Sequence, residues 1–157
     1  MKFAELTAGR RIVLGPLAVD ENEVLAFAGK YDRQWFHADP AKAADGPFQG
    51  LIASGWHTRA MAMSLVASEV LAGSESYASP GLAYVRWPNP VRPGDTLTLE
   101  LEVIEQRVSD SRPWLGIVRW QWVMKRQGGA MVLDLEATSM FRLGEERLAS
   151  PEKTANL

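Results

Sequence analysis

The chain has 157 residues, with 17 basic and 19 acidic side chains and a formal net charge of -2; this length fits one domain, and the charge offers no basic excess for binding a nucleic acid. Cysteine is absent and only two histidines are present, which excludes disulfides and thiolate nucleophiles and makes a histidine-rich metal site unexpected. With 46% hydrophobic and 23% charged residues, the composition leaves a small folded enzyme or a small binding module.

The N-terminal segment has no continuous apolar stretch followed by a cleavage site, so no secretory signal is predicted. The best apolar run, residues 60–67, is far shorter than the about 18 residues needed to span a membrane. We therefore expect a cytoplasmic protein without a membrane partner.

The first elements along the chain are short. Residues 11–19 form a possible strand, and Asp20 precedes an apolar pattern that predicts a helix to Lys30. Asp39-Pro40 then opens a short helical turn, which Gly46-Pro47 ends.

The strongest helix signal runs from Ser54 to Leu71. Ser54 is a suitable N-cap, Gly73 lies just past the end, and no proline interrupts the segment. Its residues are apolar or small on nearly every face, and its only full charges are Arg59 and Glu69. Such a helix is expected to be buried, which requires another layer around it.

The second half of the chain supplies that layer, because its apolar residues alternate with a period of two, which is typical of half-buried strands. The alternating segments are residues 96–103, 114–125 and 131–141, with a fourth strand predicted at 82–87. Residues 109–113 and 127–129 lie between them and are predicted to form hairpin turns.

Helices followed by an antiparallel meander indicate an α+β fold, in which a curved sheet wraps one long central helix. We expect residues 1–143 to form a single domain and the polar tail, residues 144–157, to be disordered.

Three common functional motifs are incomplete or absent in this sequence. The segment from Gly50 to Gly55 has the glycine spacing of a phosphate-binding loop, but Trp56 and His57 replace the required lysine and hydroxyl residue. No G-x-G is present for a dinucleotide site, and Ser54 lacks the flanking glycines of a hydrolase nucleophile elbow.

The segment from Tyr31 to Thr58, YDRQWFHADPAKAADGPFQGLIASGWHT, holds the remaining chemistry. Asp32 and His37 are five residues apart, and that pair alone also fits a capping aspartate and a partly buried histidine. The segment as a whole resembles the MaoC-like, or (R)-specific enoyl-CoA hydratase, family, whose pattern is roughly D-x-N-P-L-H, then D-P-x-x-A, then G-x-I-A-x-G. The segment from Pro90 to Leu97, PVRPGDTL, resembles the turn before a long strand of the same family.

This resemblance, which covers residues 17–143, implies a hot-dog fold and a water-adding or water-removing enzyme. It implies that Asp32 and His37 activate the water as general base and acid, and that the Gly55 N–H stabilises the thioester oxyanion at the start of the helix. A raised pKa of Asp32 in a dry pocket would suit this role. The residues expected to contact the substrate are Gln34, Trp35, Phe36, Ser54 and Trp56.

Other residues near this segment have plainer interpretations. Met61 and Met63 are predicted to belong to the core, and His57 to be a structural histidine. Four arginines could assist a phosphorylated carrier, although each also fits an ordinary solvated charge: Arg33, Arg59, Arg86 and Arg92.

The resemblance further implies an acyl-CoA or acyl carrier protein thioester as substrate, no cofactor, no metal, and a homodimer or higher homo-oligomer. Gln34 stands where the family has asparagine, and Trp35-Phe36 where it has Pro-Leu. Two alternatives therefore stay open: a hot-dog thioesterase, and a catalytically inactive homologue that only binds acyl thioesters.

Overall fold

The structure is a computed structural model that describes residues 1–144. In chain order its helices and strands are β1 (Arg11–Ala18), α1 (Glu21–Tyr31), α2 (Trp35–Ala38), α3 (Pro40–Ala44), α4 (Gly55–Leu65), β2 (Ser76–Arg86), β3 (Thr96–Val108), β4 (Leu115–Arg126) and β5 (Met131–Arg142). A 3-10 turn, Phe3–Glu5, precedes β1, and a π-helical turn, Val66–Leu71, extends α4. None of the helices in this part of the chain is long and apolar enough to cross a membrane.

The five strands form one antiparallel sheet in the order β1-β3-β4-β5-β2. Alternation along the strands places one face of the sheet against α4: on β4, Trp120, Trp122 and Met124 are buried, whereas Gln121 and Val123 between them are half-buried on the other face. The α+β class and the antiparallel sheet around a central helix are therefore confirmed.

The strand boundaries differ from the prediction where the period of two breaks. A register shift between Val103 and Glu105 lets β3 continue to Val108 after its alternation is lost. β2 begins at Ser76, six residues before the predicted Leu82, in a segment that contains Pro80 and pairs irregularly with β5. Proline is tolerated there because β2 is an edge strand.

The helix caps follow the sequence. Asp20 accepts a hydrogen bond from the Glu23 N–H at the start of α1 (3.0 Å), and Asp39 accepts one from the Lys42 N–H at the start of α3 (3.1 Å). Ser54 caps α4 in the same way, through the Trp56 N–H (3.3 Å). α2 was not predicted, because a single helical turn is too short to show a period.

The central helix is buried on the face that meets the sheet, which carries Met61, Ala62 and Leu65 and continues into Val66 and Val70 of the π-helical turn. A second row stays exposed in the single chain and includes Trp56, Ala60 and Ser64. Sequence reasoning did not separate the two faces, because small residues occur on both. The predicted disordered tail, residues 144–157, lies outside the described residues except for Gly144.

Candidate active site

The first component of the site is a histidine held in one orientation. His37 lies in α2, is 6% exposed, and places Nδ1 2.8 Å from the carbonyl oxygen of Ile52. A carbonyl can only accept a hydrogen bond, so Nδ1 carries the proton and donates it. In the neutral ring, Nε2 therefore presents a lone pair. The edge of the Phe36 ring packs against the imidazole, with 4.5 Å between ring centroids.

The second component is the carboxylate of Asp32, the residue that ends α1. Its Oδ2 atom lies 3.5 Å from Nε2 of His37 and accepts a hydrogen bond from the Ser54 hydroxyl at 2.7 Å. Its Oδ1 atom accepts a hydrogen bond from Nε2 of Gln34 at 2.9 Å. Three polar side chains thus surround the carboxylate group.

This environment lowers the pKa of Asp32 below its ordinary value. Burial raises the pKa, but the hydrogen bonds from Gln34 and Ser54, together with the proximity of His37, outweigh burial. The direction is opposite to the raised pKa considered from the sequence. The reason is that the carboxylate is partly exposed and well supplied with donors, so its charged form is the favoured one.

The third component is the start of α4. Gly55 is its first residue, and first-turn N–H groups have no carbonyl partner within their own helix. An added Cβ at Gly55 would lie 2.7 Å from two atoms of the Trp87 indole. The side chain of Trp87, just beyond β2, therefore requires a glycine at this position.

The first and third components border an open cleft, named here the His37 cleft, with a volume of about 320 Å³, and Asp32 reaches it through its contact with His37. His37 and Gly55 line it together with the buried hydroxyl residue Thr58. The rest of the wall is mainly apolar and includes Phe48, Trp87 and Val132. A histidine, a helix N-terminus and an apolar wall therefore meet in one cleft.

The family follows from a sequence comparison. Residues 4–118 match the profile of the MaoC-like domain. The chain belongs to the MaoC-like domain family.

Two curated relatives agree with this family. The chain is 34% identical over 118 residues to an uncharacterized protein, YdeM of Bacillus subtilis, with 75% of this chain and 82% of YdeM covered. It is 38% identical over 80 residues to 3-hydroxyacyl-thioester dehydratase Z of Mycobacterium tuberculosis, with 50% of this chain and 53% of that relative covered.

Two solved structures agree as well. A MaoC-like dehydratase from Rhodospirillum rubrum superposes with a TM-score of 0.81 at 35% identity, over 91% of this chain and 97% of that one. The R-hydratase PhaJ1 of Pseudomonas aeruginosa superposes with a TM-score of 0.74 at 27% identity, over 98% and 96% of the two chains. This MaoC-like protein thus has the hot-dog fold of hydratase structures.

The residues predicted to contact substrate fall into two groups. Gln34 and Ser54 hydrogen-bond Asp32. By contrast, within the described residues none of the three aromatic candidates lines the His37 cleft. Trp35 packs its ring over Gly46, Phe36 packs against the His37 ring, and Trp56 is 58% exposed, with its ring edge-on to Trp87.

His57, within the described part of the chain, is not a lining residue of the His37 cleft. It is buried and stacks on Phe27, with ring centroids 4.7 Å apart and planes within 9°. Burial lowers its pKa, although the nearby carboxylate of Glu23 acts in the opposite direction. The packing agrees with a structural histidine, and Met61 is a core residue as predicted.

Trp87 is the residue that sequence reasoning missed. Its only sequence signal was the end of a predicted strand, whereas its contact with Gly55 joins residues that are far apart in the chain. The Trp56–Trp87 pair that follows from this contact, with ring centroids 5.3 Å apart, was also not predicted.

Proposed function

We propose that this MaoC-like protein adds water to 2-enoyl thioesters, or removes it from 3-hydroxyacyl thioesters, as a hydro-lyase. The observation that carries the proposal is the 3.5 Å approach of Asp32 Oδ2 to His37 Nε2 beside a mainly apolar cleft that His37 and Gly55 both line. Similarity to a 3-hydroxyacyl-thioester dehydratase and to an R-hydratase supports the same chemistry.

The two side chains suit a shared water molecule. The carboxylate of Asp32 is favoured in its charged form, and the Nδ1 proton of His37 is held by the Ile52 carbonyl. With the ring of His37 neutral, Nε2 and the carboxylate both accept hydrogen bonds, and a water between them would donate one to each. Its oxygen lone pairs would then be free to attack the substrate.

The reaction balances without a further reactant. In hydration the water oxygen forms a bond to Cβ, the carbon–carbon double bond opens, and electron density moves to the thioester oxygen. One water proton passes to the Asp32–His37 pair and from there to Cα, which restores the thioester carbonyl. Dehydration is the same path reversed.

The start of α4 suits the developing oxyanion. The Gly55 N–H is a first-turn donor, and the helix dipole favours negative charge at that end. Donors of this kind typically contribute about 10²–10³-fold to the rate. The apolar wall of the His37 cleft limits competition from bulk water for this donor.

Mixing the protein with a panel of 2-enoyl-CoAs and following the loss of enoyl-thioester absorbance tests the proposal. Asp32→Asn and His37→Ala should each lower kcat by roughly 10²–10⁴-fold, with folding checked by circular dichroism. Ser64→Ala is the matched control, because within residues 1–144 its hydroxyl bonds only the carbonyl of Met61; it should keep wild-type turnover.

The same assay separates the alternatives. Release of free thiol from saturated acyl-CoAs, unaffected by Asp32→Asn, would replace the hydratase proposal with a thioesterase. Binding of enoyl-CoA without any turnover would replace it with an inactive binding homologue.

A further inference from the structure

A second cleft, named here the Arg59 cleft, lies beside the face of α4 that carries Gly55 and Arg59. Arg59 and Met63 of α4 form one side, and Leu82, Trp122 and Ser139 of the sheet form the other. Arg59 follows Gly55 by four residues, so both project from the same face, separated by a rise of about 6 Å. A thioester held at Gly55 would reach the Arg59 cleft if its acyl chain ran along this face of α4.

The volume of the Arg59 cleft is about 230 Å³. This is less than the roughly 300–1,000 Å³ of pockets that hold drug-sized ligands. The cleft therefore suits a short acyl chain.

The positive charge of Arg59 in this cleft has no negatively charged partner within the described part of the chain. Arg59 is half-buried and makes no ion pair or hydrogen bond with residues 1–144. Arg119, in contrast, contacts carboxylates of both Glu105 and Glu136. A partly buried guanidinium without a partner is unfavourable, and its planar donor fork matches a carboxylate.

Two further polar groups stand in the same cleft. Trp122 is 3% exposed, and its Nε1 is itself buried without a hydrogen-bond partner within the described residues. The buried hydroxyl of Ser139 accepts a hydrogen bond from Trp120 Nε1 at 3.2 Å, which leaves its own proton free to donate. The lining thus combines apolar walls with donors and no acidic side chain.

From these contacts we propose that Arg59 binds the distal carboxylate of a short dicarboxylic acyl thioester. This inference rests on the proposed function and adds a substrate class to it. The thioester carbonyl would lie at Gly55, the short chain would contact Met63 and Leu82, and the terminal carboxylate would meet the guanidinium.

The test compares two substrates that differ only at their end, 2-hexenoyl-CoA and 5-carboxy-2-pentenoyl-CoA. Wild type should have the higher kcat/KM for the carboxylate. Arg59→Met should lose roughly 10- to 100-fold on that substrate, the range for hydrogen bonds to charged groups, and change by less than about twofold on 2-hexenoyl-CoA. Retained turnover of 2-hexenoyl-CoA also shows that the variant is folded.

Two further variants sharpen the comparison. Arg59→Lys keeps the charge but not the fork, so it should recover part of the loss. Arg112→Met removes an exposed arginine in the β3–β4 turn and should leave both substrates unchanged. An equal loss on both substrates in Arg59→Met would overturn the inference, since the guanidinium would then serve the carrier or the fold.

A binding measurement separates failure of this inference from failure of the proposed function. If neither substrate is turned over, the hydratase proposal fails, and thermal unfolding with adipyl-CoA and hexanoyl-CoA still tests Arg59. Adipyl-CoA should raise the Tm of wild type more than hexanoyl-CoA does, and the difference should vanish in Arg59→Met. Equal shifts in wild type would overturn the inference.

Discussion

At the scale of single residues, the groups around Asp32 determine which protonation form of its carboxyl group is favoured. Gln34 and Ser54 both donate to Asp32, so the charged form is favoured even though burial acts against it. The sequence could identify the acid and the histidine through a family pattern. It could not give the direction of the pKa change, because that depends on a donor 22 residues away.

Loss of one donor should move the pH dependence of turnover. Gln34→Met removes the hydrogen bond to Oδ1 that helps to lower the pKa of Asp32, so the pKa should rise toward its ordinary value. If Asp32 must be ionised for activity, the acidic limb of the kcat/KM profile should shift to higher pH by the same amount.

The comparison variant is Gln34→Asn, which keeps an amide donor on a shorter side chain and should shift the acidic limb less. Gln34 is exposed, so neither change should disturb folding. An unchanged acidic limb in Gln34→Met would show that ionisation of Asp32 does not control the rate.

At the scale of helices and strands, alternation and capping residues predicted most of the fold. Ser54 and Gly73 bracket the central helix, and the long strands follow their period of two until a bulge breaks it. The missed parts are those without a repeat: the single turn of α2 and the first half of β2. Trp87 belongs to the same group, because its packing on Gly55 is a contact between elements.

The packing of Trp87 on Gly55 makes Gly55→Ala destabilising, although alanine normally stabilises a helix relative to glycine. The new Cβ would lie 2.7 Å from the Trp87 ring, so we expect a loss of about 1–3 kcal/mol in the free energy of unfolding. Gly29→Ala in α1 is the matched control, because an added Cβ there meets nothing within 4 Å. It should stabilise the protein by about 0.5–1 kcal/mol.

Chemical denaturation of the double variant completes this test. In a Trp87→Ala background the obstruction is gone, so Gly55→Ala should become neutral or stabilising. A Gly55→Ala loss of the same size in both backgrounds would mean that something other than the Trp87 ring opposes the substitution.

At the scale of the whole molecule, both edge strands of the sheet, β1 and β2, lack an outer neighbour among the described residues. Within residues 1–144, β2 pairs only with β5, most of its residues are exposed, and Tyr77 on it is 52% exposed. The exposed row of the central helix adds Trp56, 58% exposed. Long unpaired edges and large exposed apolar side chains favour association with another chain.

We therefore predict a homodimer that covers β2, in line with the expectation from the family resemblance. Light scattering at micromolar concentration should give twice the chain mass, and the amides of β2 should exchange slowly in the dimer. Tyr77→Lys should shift the protein toward monomer, whereas Val13→Lys, at an exposed position on the opposite edge strand, should not. A monomer mass for wild type would contradict the prediction.

The Ser54 hydroxyl contacts both the site carboxylate and the start of the central helix. It caps α4 through the Trp56 N–H and donates to Asp32, so one oxygen joins the central helix to the end of α1. Because the pKa of Asp32 is lower in the folded chain than in the unfolded chain, its ionisation stabilises the fold at neutral pH, and this contribution disappears as the pH falls through the folded-state pKa. Acid should thus weaken the Ser54–Asp32 link between the central helix and the end of α1. The weakening should occur over the same pH range in which the carboxylate stops accepting a proton from water.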